Sequence, residues 1–169
     1  MRRITSILLS VAFAWIFVSC DPMIWDVAPI NIYVTVSNAN GQNLLDSITP
    51  NNFAGKEITA EWDGKIYVAD TISERQKQII TRAYMPEMNG LMYVVKEGKQ
   101  ALSFGEIDGA GTWENEPLTL RWPDGSTDVI TVDAWAHQGY RNLKTYRKFK
   151  LNGEVVGQET QRPVINIVK

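Results

Sequence analysis

The residue types that perform covalent or metal chemistry are scarce in this chain. Its 169 residues include one histidine, His137, and one cysteine, Cys20. A structural zinc site takes four Cys, His or carboxylate ligands and a catalytic one about three, so zinc has almost no material here. His137, within Trp135-Ala136-His137-Gln138-Gly139, reads as a loop residue after a strand. A Ser-His-Asp triad assembles in space and so stays open to it, but no Gly-x-Ser-x-Gly elbow accompanies it. Glycoside hydrolysis needs two carboxylates about 5 to 10 Å apart across a cleft, which is a spatial condition. Among 19 acidic residues some pair meets it by chance.

Two loops invite closer reading. Gly109-Ala110-Gly111 begins like a phosphate-binding loop, yet Glu114 stands where the third glycine belongs and no βαβ unit follows. Glu106, Asp108, Glu114 and Glu116 offer oxygens to a calcium ion, but their spacing matches no calcium loop, and a solvated acidic loop is the simpler account. Arg141, Lys144, Arg147, Lys148 and Lys150 form a basic stretch; in extended structure Lys144, Lys148 and Lys150 share a face with Tyr146. Anionic glycans or lipid headgroups could bind there. Lysines on the solvent face of a strand also discourage edge-to-edge aggregation, and that is the reading favoured here. Leu143, Phe149 and Leu151 are expected to face the core.

Aromatic side chains are the most conspicuous binding material. Apart from Trp15 near the N-terminus, the tryptophans are Trp25, Trp62, Trp113, Trp122 and Trp135, accompanied by Tyr33, Tyr67, Tyr84, Tyr93, Tyr140 and Tyr146. Aromatic rings stack on the apolar faces of sugars, although most large aromatics fill cores. Trp122 and Trp135 fall in strand patterns and are expected to be buried. Trp113, beside the Gly-rich acidic loop, is the best candidate for an exposed stacking residue, with Tyr140 and His137 as weaker members of the same surface. Trp25 belongs to a short tether, where it can rest at a membrane interface or pack on the domain.

The elements that must position these residues begin after a distinctive leader. Arg2 and Arg3 precede an apolar run from Ile7 to Val18 broken by Ser10, which leads into Phe17-Val18-Ser19-Cys20. Basic end, short apolar stretch and small residue before the cut are the parts of an export signal. Residues 1–19 are therefore read as a removed signal peptide, 20–29 as a tether and 30–169 as one domain. The leader carries two of the 17 basic residues and none of the 19 acidic ones, so the remainder has a net charge of −4. That balance is the opposite of a nucleic-acid binder's, and no nucleic-acid partner or cofactor is expected. With one cysteine no internal disulfide forms, so stability must come from packing. No later apolar run approaches the ~20 residues of a spanning helix.

Strand signals follow one another to the end of the chain. Ile32, Val34 and Val36 alternate with Tyr33, Thr35 and Ser37, the period of a half-buried strand. Asp63-Gly64, Pro123-Asp124-Gly125-Ser126 and Asn152-Gly153 punctuate three hairpins, Lys96-Glu97-Gly98-Lys99 a fourth, and Val164 to Val168 reads as a closing strand. Ser73 to Tyr84 has helical capping-box spacing at Ser73 and Gln76, but its β-branched and aromatic content favours a strand. About eight or nine short strands without a βα alternation predict an all-β antiparallel β-sandwich, Ig-like or transthyretin-like, with a closed barrel as the alternative.

The segment Phe17-Val18-Ser19-Cys20 resembles the lipobox of bacterial lipoproteins cut by the type II signal peptidase, with Phe17 in the place of the usual Leu. The resemblance implies that Cys20 becomes the new N-terminus and carries a diacylglyceryl thioether. The whole mature chain also resembles small β-rich lipoproteins of gut-type Gram-negative anaerobes. Residues 28–34, 104–109 and 121–125 carry this likeness, which implies a location and a fold but no activity. In some enteric bacteria an Asp after the cysteine, here Asp21, favours the inner membrane, a rule that does not extend to every Gram-negative group. The expectations are thus a lipid anchor at Cys20, outer-membrane attachment facing either side, and a noncatalytic module binding a glycan. The alternatives are an assembly protein docking an envelope partner and, last, a hydrolase.

Overall fold

The computed structural model describes residues 27–71, 90–139, 142–160 and 162–169. Cys20, Trp25, the Ser73–Tyr84 segment, Tyr140 and Arg141 lie outside the described residues. The strands are β1 (Ile30–Ser37), β2 (Thr59–Trp62), β3 (Lys65–Val68), β4 (Asp70–Thr71), β5 (Leu91–Lys96), β6 (Lys99–Ile107), β7 (Trp113–Arg121), β8 (Thr127–Gln138), β9 (Leu143–Leu151), β10 (Glu154–Gln158) and β11 (Val164–Val168). They form two sheets. Sheet A has the order β11-β1-β6-β5-β4 and sheet B the order β10-β9-β8-β7-β2-β3, which makes the expected sandwich and no barrel.

Local chemistry explains the hairpins. Asp63 and Gly64, Glu97 and Gly98, and Asn152 and Gly153 all adopt positive φ, the backbone that two-residue hairpin turns require. Sheet B is antiparallel throughout. In sheet A two pairings are instead parallel, β1 with β11 and β4 with β5, because the chain enters this sheet by crossing over from sheet B. The first crossing needs only Ala69 between β3 and β4, and the second joins β10 to β11. Gly109 is required where the β6–β7 turn meets the start of the domain: a Cβ there would lie 2.0 Å from the Ala28 carbonyl oxygen.

Between the sheets lies one apolar core. Ile30, Ile32, Val34 and Val36 of β1 face Leu118 and Leu120 of β7, Ile130 and Val132 of β8, and Phe149 of β9, all nearly without solvent contact. Trp62 meets Phe104 edge-on at 6.2 Å between centroids, and Tyr67 meets Phe104 at 5.3 Å. Of the residues expected inward on β9, Phe149 is fully buried while Leu143 and Leu151 are half-buried. Between them Arg147 is buried to 4% exposure, and its Nη2 has no hydrogen-bond partner among the described residues. Burial pushes its pKa down, and Glu159 opposes that shift. A guanidinium so placed costs stability.

The end of the sandwich holding the C-terminal residue is pinned by a polar node. Asp128 is buried and accepts hydrogen bonds from the indole N–H of Trp122 (2.7 Å), the Asn152 amide (2.8 Å) and the Lys169 ammonium. Burial alone would raise the Asp128 carboxyl, but these donors and the Lys169 charge outweigh it and hold the pKa below the ordinary carboxylate value. A carboxyl whose folded pKa is depressed contributes stability that is complete above its unfolded value, about 3.9, and is lost as pH falls through the folded one. Asp128→Asn is therefore expected to lower the urea midpoint at pH 7 and to flatten its decline below about pH 4. An unchanged midpoint at pH 7 would rule out a stabilising node.

Candidate functional site

The residues expected to form one binding surface do not converge. Trp113 opens β7, opposite Ala134 of β8, and a bulge separates this pairing from Glu116 opposite Val132. The extra residue reverses which face Trp113 takes. Its ring tilts against Trp62 at 5.2 Å, and its indole N–H donates to the Asp108 carbonyl at 2.9 Å. It is half-buried on the core side of sheet B. His137 is not in a loop: β8 continues to Gln138, and His137 stands exposed opposite Lys144 of β9. The β8–β9 hairpin runs further than the turn signals suggested because nine consecutive residue pairs keep register from Ile130 to Gln138. Trp113 and His137 thus belong to opposite faces of the sheet.

The acidic loop has structural employment. Asp108 accepts the Ala110 amide through its side chain, and Glu106 accepts the Gly90 amide at 2.6 Å. Among the described residues no group of three or more His, Cys, Asp or Glu side chains is placed to hold a metal. An open groove of about 300 Å³ lies between the β1–β2 connection and β5. Asp46 is the carboxylate among its lining residues, and it accepts the Ile48 amide.

The outward aromatic surface is elsewhere, on β8 and β9. Trp135, expected in the core, is 40% exposed. The reason is parity: Ile130, Val132 and Ala134 point inward, so Trp135 joins Asp133 and His137 on the outer face. Directly opposite stands Tyr146, and the two rings lie stacked, 6.0 Å between centroids and 16° between planes. Lys144 and Lys148 flank Tyr146 two residues away on each side. Lys150 reaches across to Asp133 at 3.1 Å and donates to Asn115 at 2.7 Å. The edge-protection role read for these lysines holds less well than expected, because β10 covers β9 from Lys148 to Leu151 and leaves that part of the strand interior. The signal that could have located Trp135 was the alternation of β8 itself, which its size and apolarity obscured.

No family model, curated protein or solved structure matches this chain.

Proposed function

We propose that this chain is a lipid-anchored protein of a Gram-negative envelope, attached at the outer membrane through Cys20, whose sandwich binds carbohydrate without turning it over. The observation that carries the reading is the Trp135–Tyr146 pair, stacked on the outer face of sheet B with Trp135 40% exposed. The stacked pair on adjacent interior strands exposes apolar aromatic surface against which a sugar ring can pack, while His137 and Lys144 beside it supply polar partners for hydroxyl groups. The export leader supports the location. It does so through Arg2, Arg3 and the Phe17–Cys20 segment, independently of the platform.

Trp135→Ala is expected to reduce glycan retention about tenfold or more while lowering the unfolding free energy by about 1 kcal/mol, the worth of a cross-strand aromatic pair and well short of the loss of a core ring. A glycan array and a urea titration read the two quantities. An array with no signal for the wild type would overturn the carbohydrate reading. The second reading, docking of a protein partner by strand addition, would then lead, supported by edge strand β3, whose Ile66 and Val68 are 67% and 56% exposed.

A further inference from the structure

The platform carries more positive charge than the fold itself uses. Its cross-strand rows are His137 with Lys144, Trp135 with Tyr146, Asp133 with Lys148, and Thr131 with Lys150. Asp133 is the acid in these rows, and it is already engaged. Lys150 lies 3.1 Å from one of its oxygens, and the Asn115 amide donates to the other at 2.7 Å. Lys144, on one side of Tyr146, has no ion pair to any described residue, whereas Lys148, on the other, stands directly opposite Asp133, helps hold that carboxyl's pKa down and so shares one carboxylate with Lys150. Three lysines against one carboxylate leave the surroundings of the exposed aromatic pair positive, although the net charge of the chain is −2.

We infer that the ligand of this face is an acidic oligosaccharide, one sugar ring resting on Trp135 and Tyr146 and flanking carboxylate or sulfate groups meeting Lys144 and Lys148. The inference rests on the carbohydrate reading and narrows it. Four residues of extended chain separate the two lysines, about 13 Å at ~3.3 Å per residue, so a single monosaccharide cannot reach both. An ammonium group is a compact point charge that accepts a carboxylate or a sulfate without demanding the paired geometry of a guanidinium. Aggregation control does not account for Lys148, which β10 pairs on its open side through Gln158.

The test uses the purified full-length protein in detergent and four immobilised probes: polygalacturonate, dextran sulfate, neutral dextran and polyphosphate. Wild type is expected to be retained on the two acidic polysaccharides at least about tenfold more strongly than on neutral dextran. Lys144→Gln with Lys148→Gln should erase that preference, and Trp135→Ala should weaken retention on both acidic polysaccharides. All three side chains point outward, so a single cooperative urea transition with a midpoint near that of the wild type verifies that each variant folds. Equal retention on acidic polysaccharides and neutral dextran, unaffected by the double substitution, would overturn the acidic specificity and leave carbohydrate binding standing. Failure to bind any polysaccharide would overturn both. Retention on polyphosphate as strong as on the acidic polysaccharides, and indifferent to Trp135→Ala, would reduce the surface to bare charge attraction and also overturn the inference.

Discussion

Trp122→Ala is expected to lower the unfolding free energy by about 3 to 5 kcal/mol, the range for removing a buried aromatic ring. Trp122 is 4% exposed, stacks on Phe53 with 5.8 Å between centroids, and lies under the Lys169 ammonium, 5.4 Å from its ring. Its indole N–H also donates to Asp128. Truncation thus opens a cavity and withdraws a donor from a buried carboxylate, two losses that add. Urea unfolding followed by circular dichroism reads the effect. Trp113→Ala is the internal comparison and should cost less, since Trp113 is half-buried. A Trp122→Ala midpoint equal to wild type would show that the node at this end of the sandwich does not hold the sheets together.

Cys20→Ala is expected to abolish lipid modification altogether. Two or more acyl chains hold a protein on a bilayer stably, whereas a single chain gives an association constant of only about 10⁴ M⁻¹. Mass spectrometry of the wild type should find a mature chain that begins at a diacylated Cys20. In the variant the thiol that receives the diacylglyceryl group is missing, so cleavage stops and the precursor persists with its leader attached. The two species differ in N-terminal sequence and in mass, and both are read directly. Recovery of the wild type as an unlipidated, soluble protein starting at another residue would refute the anchor. The proposed carbohydrate reading, which rests on β8 and β9, would be untouched by that result.

Turn chemistry was legible in advance because it is local. Asp63-Gly64 and Asn152-Gly153 announce positive φ in two letters, and the structure places a tight turn at each. The alternation of Ile32, Val34 and Val36 likewise marked the buried face of β1. What the letters do not encode is which strand lies beside which: nothing near Ile30 or Val164 signals that the two segments run parallel. Side-chain parity was legible for Trp135 and illegible for Trp113. On β8 an unbroken alternation carries Ala134 inward and Trp135 outward. On β7 counting back from Leu118 and Leu120 would send Trp113 to solvent, and only the bulge between Trp113 and Glu116 returns it to the core. A bulge is one extra residue chosen by the partner strand's geometry, so the local sequence leaves it unannounced.

The neighbours of β1 have a bearing on how the chain can be made and moved. Its two flanking strands are β6 and β11, and Tyr33 waits for Val164, 131 positions later, before the parallel pair exists. Contacts at that separation are slow to form and cannot begin until the late segment is available. During synthesis, then, β1 stays unpaired on one side until residues 164–168 have left the ribosome, and sheet A cannot close before that. If the chain is exported as proposed, passing end-on through a narrow pore, such wiring would delay its closure into a solid body and keep it threadable until β11 has followed.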